Sequence, residues 1–229
     1  MCGRFNITKT PGLDALMASL GCPLALPELI NAAPTETIPL VGRYGDGQVS
    51  VRDARWWLTP HWSQGPSQKY AMFNARSEGL TRSPAFRGPF ATQRGIVPMS
   101  SFIEWRGGRG QRRPWLVTTR DEALAVAALW DVWQGADDDR PLLSCTLVTT
   151  EAAELFKPWH SRMPVLLAAA ERERWLDNGQ RIESDDGLFA PVLKEPLRLK
   201  ALDLSVGNSR NKDSALLDGH GDWLELGSD

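Results

Sequence analysis

Short apolar runs, each closed by glycine or proline, are the feature that most limits how this chain can fold. The 229 residues include 20 glycines and 16 prolines, which interrupt long helices and mark turns. Runs this short, bounded by turn residues, are typical of strands. The runs that we interpret as strands cover residues 49–57, 95–98, 102–105, 115–119, 124–129 and 142–149.

Helical spacing of apolar residues is confined to a few segments. In residues 11–20 the apolar side chains recur on one helix face, and Gly21 follows as a stop signal. The other predicted helices span residues 151–156 and 169–176. Few helices among many strands predict an α+β fold, with a single domain over residues 1–229. We expect a curved, largely antiparallel, barrel-like β-sheet with flanking helices, and a tail that frays after about residue 220.

Composition excludes several classes of protein. Hydrophobic residues make up 42% and charged residues 24%, the balance of an ordinary globular protein. No stretch approaches 18 uninterrupted apolar residues, and the N-terminus lacks a secretory signal, so we expect a cytoplasmic protein without membrane contact. The three cysteines and three histidines are too widely spaced to form a metal-ligand cluster. We therefore expect no metal and no cofactor, and a monomer is the default assembly.

Charge is unevenly distributed along the chain. The formal net charge is -2, yet residues 76–113 contain eight arginines and two acidic residues. This local positive charge could face phosphates, and the alternative is a solvated hairpin tip around residues 107–113. Of the ten tryptophans, those at positions 56, 57, 62, 105 and 159 lie in or beside polar segments. Some of these could stack on bases, although most tryptophans belong to a core.

The second residue, Cys2, is a potential reagent. Removal of Met1 would leave an α-amine and a thiol on one terminal residue, with ordinary pKa values of about 7.7 to 8.0 and about 8.5. The amine can capture an aldehyde as an imine, and the thiol, which is within reach of activation, can close that imine into a five-membered thiazolidine. The alternative is that a cysteine after the initiator methionine is an accident of translation.

Three polar segments carry further chemistry. Asn74 can orient an amine or carbonyl while the neighbouring Arg76 holds a phosphate, or the segment is an asparagine turn with a surface arginine. Glu104 interrupts an apolar strand, where a half-buried carboxylate could act as acid and base and an exposed one would only face solvent. His160 is flanked by an aromatic residue, an arginine and a proline turn, although a lone histidine is usually structural.

Eight short motifs follow one another along the chain. They are MCGRF (1–5), APT (33–35), WWLTPHW (56–62), NARSE (74–78), VP (97–98) leading to FIEW (102–105), SCTLVTT (144–150), HSRMPV (160–165) and VGNS (206–209). In this order they closely resemble the SOS-response-associated peptidase (SRAP) family, whose members crosslink to abasic sites in single-stranded DNA. The resemblance runs from Cys2 to about Asn211. Each motif is weak alone, whereas eight in order are highly specific.

The resemblance implies roles for the matching residues. The catalytic residues would be Cys2, Asn74, Glu104 and His160, and the DNA-binding residues would be Arg4, Pro34, Trp62, Arg76, Trp105, Thr149 and Arg162. Cys2 would form the thiazolidine, Asn74 would position the adduct, and the two remaining catalytic side chains would move protons. The arginines would bind phosphates that flank the lesion. The loops carrying Pro34 and Trp62 would stack against or wedge beside bases.

Two positions depart from the family pattern. Trp57 stands where the family usually has glycine, so the loop that follows must differ. Ser100 and Ser101 stand where the family commonly has Asp or Ala followed by Gly, and they could reshape the floor of the pocket near Glu104. Neither departure touches a residue with an implied catalytic role, so the prediction of crosslinking is unaffected.

The functional prediction is an enzyme that captures abasic sites in single-stranded DNA, including junctions with double-stranded DNA, as a thiazolidine crosslink. Weak lyase activity and self-removal of Met1 would accompany it. One alternative is an N-terminal-nucleophile cysteine amidohydrolase or peptidase, which would use Cys2 on amides. Another is a non-catalytic module that binds single strands through its arginines and tryptophans.

Overall fold

The computed structural model describes residues 2–45, 47–108, 110–135 and 140–227. Strands outnumber helices in these ranges, as the short apolar runs indicate. The strands are β1 (Phe5–Ile7), β2 (Leu29–Ala32), β3 (Thr37–Arg43), β4 (Val49–Trp56), β5 (Asn74–Arg76), β6 (Arg94–Met99), β7 (Ser101–Arg106), β8 (Arg113–Thr118), β9 (Leu124–Trp133), β10 (Leu142–Glu151), β11 (Arg162–Pro164), β12 (Leu197–Ala201) and β13 (His220–Leu226). The α-helices are α1 (Pro11–Ser19), α2 (Arg87–Thr92) and α3 (Ala169–Leu176).

Five strands close into a barrel. They follow the order β10, β4, β3, β6 and β9, and β9 pairs in turn with β10, so each strand of the ring has two neighbours. Closure leaves these strands with no open edge. Beyond the ring, the last residues of β10 pair with β5 on one side and with β11 on the other. Strand β10 therefore belongs both to the barrel and to a short polar extension formed with β5 and β11.

A second, open sheet packs beside the barrel. Its order is β13-β12-β8-β7-β1-β2, and all its pairings are antiparallel. One hydrophobic core cluster contains buried side chains from both sheets. The rings of Phe5 on β1 and Trp56 on β4, for example, lie edge to face with their centroids 5.0 Å apart, a geometry that contributes about 0.5 to 1.5 kcal/mol beyond its burial. The predicted α+β class with a curved, largely antiparallel, barrel-like sheet is confirmed, and the single domain stays a prediction.

Two of the predictions about individual segments are wrong. The helix expected over residues 151–156 is only a 3-10 turn, Glu154–Phe156, because Glu151 is still paired in β10. The tail expected to fray after residue 220 instead forms β13, which pairs with β12. The ring of Trp223 also lies 4.2 Å from the guanidinium of Arg198, a contact that holds β13 against the sheet.

The arginine-rich segment after β7 forms a hairpin tip. Arg106 and Arg113 are cross-strand partners, and Gly107 has a φ of 115°, a conformation that favours glycine. Arg109 lies outside the described residues. Among the described helices, none combines the length and the apolar character that a membrane span needs.

Candidate functional site

Cys2 lies where the two sheets meet. It precedes β1. Two residues further along the chain, the carbonyl oxygen of Arg4 accepts a 2.9 Å hydrogen bond from the backbone N–H of Ile103 on β7. From the other side, the side-chain amide of Asn74 at the start of β5 donates to the carbonyl oxygen of Cys2 at 2.9 Å. The Cys2 side chain is fully buried, with its Sγ 3.8 Å from the Arg4 carbonyl oxygen. Strand pairing thus fixes Cys2 between residues distant in sequence.

The Cys2 thiol is held in its protonated form. Burial, and after it the negative charge of Glu104, raise the pKa of this thiol far above its ordinary value. The thiol is therefore harder to ionise than its ordinary pKa indicates, and Glu104 is the carboxylate whose charge acts on it.

Glu104 is the carboxylate of the site, and the structure settles whether it faces solvent. It lies in the middle of β7, opposite Trp115 on β8, and is 3% exposed. Its Oε1 accepts a 3.1 Å hydrogen bond from the backbone N–H of Trp105. A carboxylate near a buried thiol can accept the proton as the sulfur ionises, which avoids two negative charges close together.

His160 faces the same carboxylate and is held as a neutral imidazole. Its Nδ1 accepts a 2.9 Å hydrogen bond from the backbone N–H of Arg162, which places the ring proton on Nε2. Burial lowers the pKa of His160 below its ordinary value, and the charge of Glu104 opposes that shift. The ring can therefore donate a hydrogen bond from Nε2.

Arg162 is already engaged in ion pairing. Its Nη1 and Nη2 donate to Oε1 and Oε2 of Glu78 at 2.6 and 3.1 Å, a two-bond pairing of guanidinium with carboxylate. Nη2 also donates to the carbonyl oxygen of Thr149 at 2.6 Å. Thr149 itself is fully buried. The structure therefore places Arg162 and Thr149 together, with a carboxylate where the resemblance implies a phosphate.

Arg4 and Trp105 form a second pair beside the site. The Arg4 guanidinium lies 6.0 Å from the centroid of the Trp105 ring, and its Nη2 donates to the carbonyl oxygen of Gly207 at 3.3 Å. Burial lowers the pKa of Arg4. Arg76, at the end of β5, is exposed. Arg4 and Arg76 each stand two residues along the chain from a residue of the site, Cys2 and Asn74 respectively.

Trp62 and Pro34 lie in loops. Trp62 follows β4, is 59% exposed, and lines two pockets whose walls contain none of the four implied catalytic residues. Pro34 is half-buried in the turn between β2 and β3. The next residue, Thr35, has a φ of 81°, which is strained for a β-branched residue and marks a loop held in a special shape.

The two departures from the family pattern are accommodated locally. The Trp57 ring packs 5.4 Å from that of Phe73, and its Nε1 donates to the carbonyl oxygen of Ser67 at 2.9 Å, so the loop folds around the indole. Ser100 Oγ donates to the Asn6 carbonyl oxygen at 3.0 Å, and Ser101 Oγ accepts from Asn6 Nδ2 at 2.9 Å. The serines thus anchor β1, the strand that follows Cys2.

Sequence reasoning missed two features. Glu78 was recognised only as part of a motif, although it pairs with Arg162 across 84 positions of sequence. His61 is only one letter of the motif over residues 56–62, yet its Nδ1 lies 2.9 Å from Oδ2 of the buried Asp131. A single aspartate in the otherwise apolar β9 was the available signal for the second contact. Among the described residues, no group of three or more His, Cys, Asp or Glu is placed to hold a metal ion.

The fold and the four converging side chains define a protein with a buried polar site built around its second residue. The model of the SOS response associated peptidase (SRAP) family matches residues 1–209. The chain therefore belongs to the SRAP family, and the predicted membership is confirmed.

Related proteins and solved structures agree with this assignment. The chain is 31% identical over 227 residues to the abasic site processing protein YoaM of Bacillus subtilis, covering 95% of this chain and 98% of that protein. It is 28% identical over 151 residues to the abasic site processing protein HMCES of Gallus gallus, covering 56% and 45% of the two chains. A solved protein from Bacteroides thetaiotaomicron superposes with a TM-score of 0.74 at 21% identity, covering 93% and 91%. The last likeness shows the fold.

Proposed function

We propose that this protein captures abasic sites in single-stranded DNA by forming a covalent thiazolidine through Cys2 after Met1 is removed. The observation that carries the proposal is the placement of Cys2: Asn74 binds its carbonyl oxygen, and the charge of Glu104 acts on its thiol. The names of relatives such as YoaM and HMCES, abasic site processing proteins, support the choice of substrate.

The reaction begins at the amine. The free α-amine of Cys2 attacks the aldehyde of the ring-opened abasic sugar, and loss of water gives an imine. Sγ then adds to the imine carbon while the nitrogen gains a proton, so the net change is one bond to nitrogen, one to sulfur and the release of one water. Asn74 holds the Cys2 backbone in place for both attacks.

Glu104 and His160 assist the proton transfers. The carboxylate of Glu104 accepts the Sγ proton, which is tightly held because burial and that same charge raise the thiol pKa. His160, with its proton on Nε2, would donate a hydrogen bond to the departing oxygen as the sugar opens, while the protons that leave in the water come from the attacking amine.

The surrounding side chains would bind the DNA strand. Arg4, Arg76 and Arg162 would contact phosphates on either side of the lesion. Trp105 and Thr149 stand beside the first and last of these arginines. The loops of Pro34 and Trp62 would contact bases, and exposure of the Trp62 ring leaves one aromatic face open for stacking. Such contacts favour single strands and their junctions with duplex DNA.

Three accessory properties belong to the proposal. Before sulfur adds, the imine acidifies the neighbouring carbon, so slow β-elimination of the DNA strand is a side reaction. Self-removal of Met1 would account for the peptidase in the family name. We expect the protein to act as a monomer on DNA in the cytoplasm.

The decisive test is incubation with a single-stranded oligonucleotide that carries one abasic site, followed by a denaturing gel and mass spectrometry. We expect a heat-stable adduct with the mass of protein lacking Met1, plus DNA, minus water. Cys2→Ser should permit at most a reversible imine, and a tag left on Cys2 should abolish the adduct. An amidohydrolase would give no adduct, and a simple binding module would be indifferent to Cys2→Ala; either result would refute the proposal.

A further inference from the structure

The pair formed by Glu78 and Arg162 bears on how DNA enters the site. Arg162 is one of the proposed phosphate contacts. The two terminal nitrogens of its guanidinium, which form its terminal edge, each donate a hydrogen bond to the carboxylate of Glu78. A carboxylate and a phosphate both present oxygens to this edge in the same two-bond geometry. The site without DNA therefore contains an anionic group in the position that a phosphate needs.

The remaining donors of Arg162 can offer a phosphate at most one hydrogen bond, from the second N–H of Nη1. Nη2 also donates to the carbonyl oxygen and Oγ1 of Thr149, at 2.6 and 3.3 Å. Nε has no hydrogen-bond partner, but it is buried and out of reach of a strand in solution. A phosphate can therefore gain two hydrogen bonds from Arg162 only if Glu78 gives way.

Glu78 is the partner that is free to move. Its side chain is 53% exposed and belongs to the short turn Ser77–Gly79, whereas the Arg162 side chain is 14% exposed. Arg162 is fixed by its bonds to Thr149 on β10 and by the pairing of β11 with that strand. Displacement would therefore swing the carboxylate into solvent and leave the guanidinium where it is.

Glu78 also moderates the charge of a second cation. Burial alone would raise the pKa of Glu78, but hydrogen bonds and the charge of Arg162, together with the charge of Arg76, lower it. The carboxylate is therefore ionised at neutral pH and faces two of the three arginines proposed to bind phosphates. It is hydrogen-bonded to Arg162 and partly neutralises the charge of both arginines.

We propose that Glu78 is an internal counterion for the DNA site, which occupies the Arg162 guanidinium in the free protein and is displaced by a backbone phosphate when a single strand binds. This inference rests on the proposed function and deepens it. The exchange makes binding weaker than the arginines alone would give, so a strand without an abasic site is released more readily. Selectivity for the lesion then depends more on the reaction at Cys2.

The test measures equilibrium binding of an intact single-stranded oligonucleotide, which has no aldehyde and cannot crosslink. Glu78→Gln keeps the shape and removes the charge, so we expect up to about fivefold tighter DNA binding at low salt. This factor corresponds to the contribution of one partly exposed ion pair. The advantage should shrink as salt rises, because anions from solution then occupy the freed guanidinium. Glu151→Gln is the matched control, since Glu151 is paired across the strands with Arg162 but its side chain contacts Lys157.

Each result has a defined meaning. If Glu78→Gln and Glu151→Gln tighten DNA binding equally, the effect is one of net charge alone and the inference is overturned. Unchanged or weaker DNA binding by Glu78→Gln would overturn it as well. In an Arg162→Gln background, Glu78→Gln should tighten binding by less, because only the charge of Arg76 is then unmasked. If Arg162→Gln itself leaves binding unchanged, the proposed phosphate contact fails instead. Should Glu78→Gln fold poorly, Glu78→Asp, too short to keep the pairing, must show the same tightening.

Discussion

The side-chain amide of Asn74 donates a 2.9 Å hydrogen bond to the backbone carbonyl oxygen of Cys2, across 72 positions of sequence. Asn74 begins β5, which is held by β10, while Cys2 precedes β1, which is held by β7. One hydrogen bond therefore ties the first residues of the chain to the barrel side of the site. A terminal segment without such a tie would sample many positions, and the reacting amine would rarely be aligned.

Asn74→Ala should slow crosslinking without weakening the binding of intact DNA. Loss of the amide frees the Cys2 backbone, and misplacement by about 1 Å can cost on the order of 100-fold in rate, so we expect about a 10- to 100-fold decrease. Single-turnover crosslinking and equilibrium binding measure the two effects separately. Asn74→Asp, which keeps the shape but replaces the donor by an acceptor, should be at least as slow. An unchanged rate in both variants would show that the contact does not position Cys2.

Glu104→Gln should make the Cys2 thiol more acidic and yet slow the crosslinking reaction. Removal of the carboxylate charge takes away one of the two causes that raise the Cys2 pKa, the larger being burial, so the thiol should become easier to ionise. Crosslinking should nevertheless slow by about 100-fold or more, because the proton acceptor is lost. The pH dependence of Cys2 alkylation, followed by peptide mass spectrometry, measures the first effect. Faster crosslinking in this variant would contradict a role for Glu104 as base.

The motifs allowed candidate catalytic residues to be proposed, but not the contacts between them. Cys2, Asn74, Glu104 and His160 each stand in a short pattern with recognisable chemistry. Their convergence depends on strand pairings between distant segments, which no local spacing encodes. The Glu78 contact to Arg162 was missed for the same reason.

Local patterns were more successful for secondary structure than for the ends of elements. The predicted helix after Thr150 was too long because pairing of Glu151 with Arg162 extends β10 into it. The spacing of apolar residues predicted α1 correctly, and Thr10 caps that helix through its side chain. Sheet pairing, which acts over long distances, overrides helical preference at such boundaries.

His160 should make stability depend on pH in a stated direction. Its pKa in the folded protein lies below the ordinary value of about 6.5, so the unfolded chain binds a proton more readily than the folded one. Its contribution to stability is therefore complete above about pH 6.5 and decreases as the pH falls through that value. Denaturant unfolding at pH 7.5 and 5.5 should show a smaller loss of stability for His160→Gln than for the wild type. Equal losses would mean that the environment of His160 does not disfavour its charged form.

Arg94 should be the most costly arginine to replace for stability. It is 1% exposed, and its guanidinium donates to the carbonyl oxygens of Phe90, Ala91, Trp175, Asp177 and Gln180. These carbonyls lie at or beyond the C-terminal ends of α2 and α3, where helix dipoles favour a cation. Arg94→Met leaves them without a donor, so we expect a loss of about 3 to 5 kcal/mol in the free energy of unfolding. Arg94→Lys keeps the charge but cannot reach all five carbonyl oxygens, and should also be destabilised.

Arg181→Met, at an exposed arginine near the same two helices, is the control and should change stability by less than about 1 kcal/mol. Urea unfolding midpoints measure all three, and similar midpoints for Arg94→Met and Arg181→Met would contradict the role assigned to Arg94.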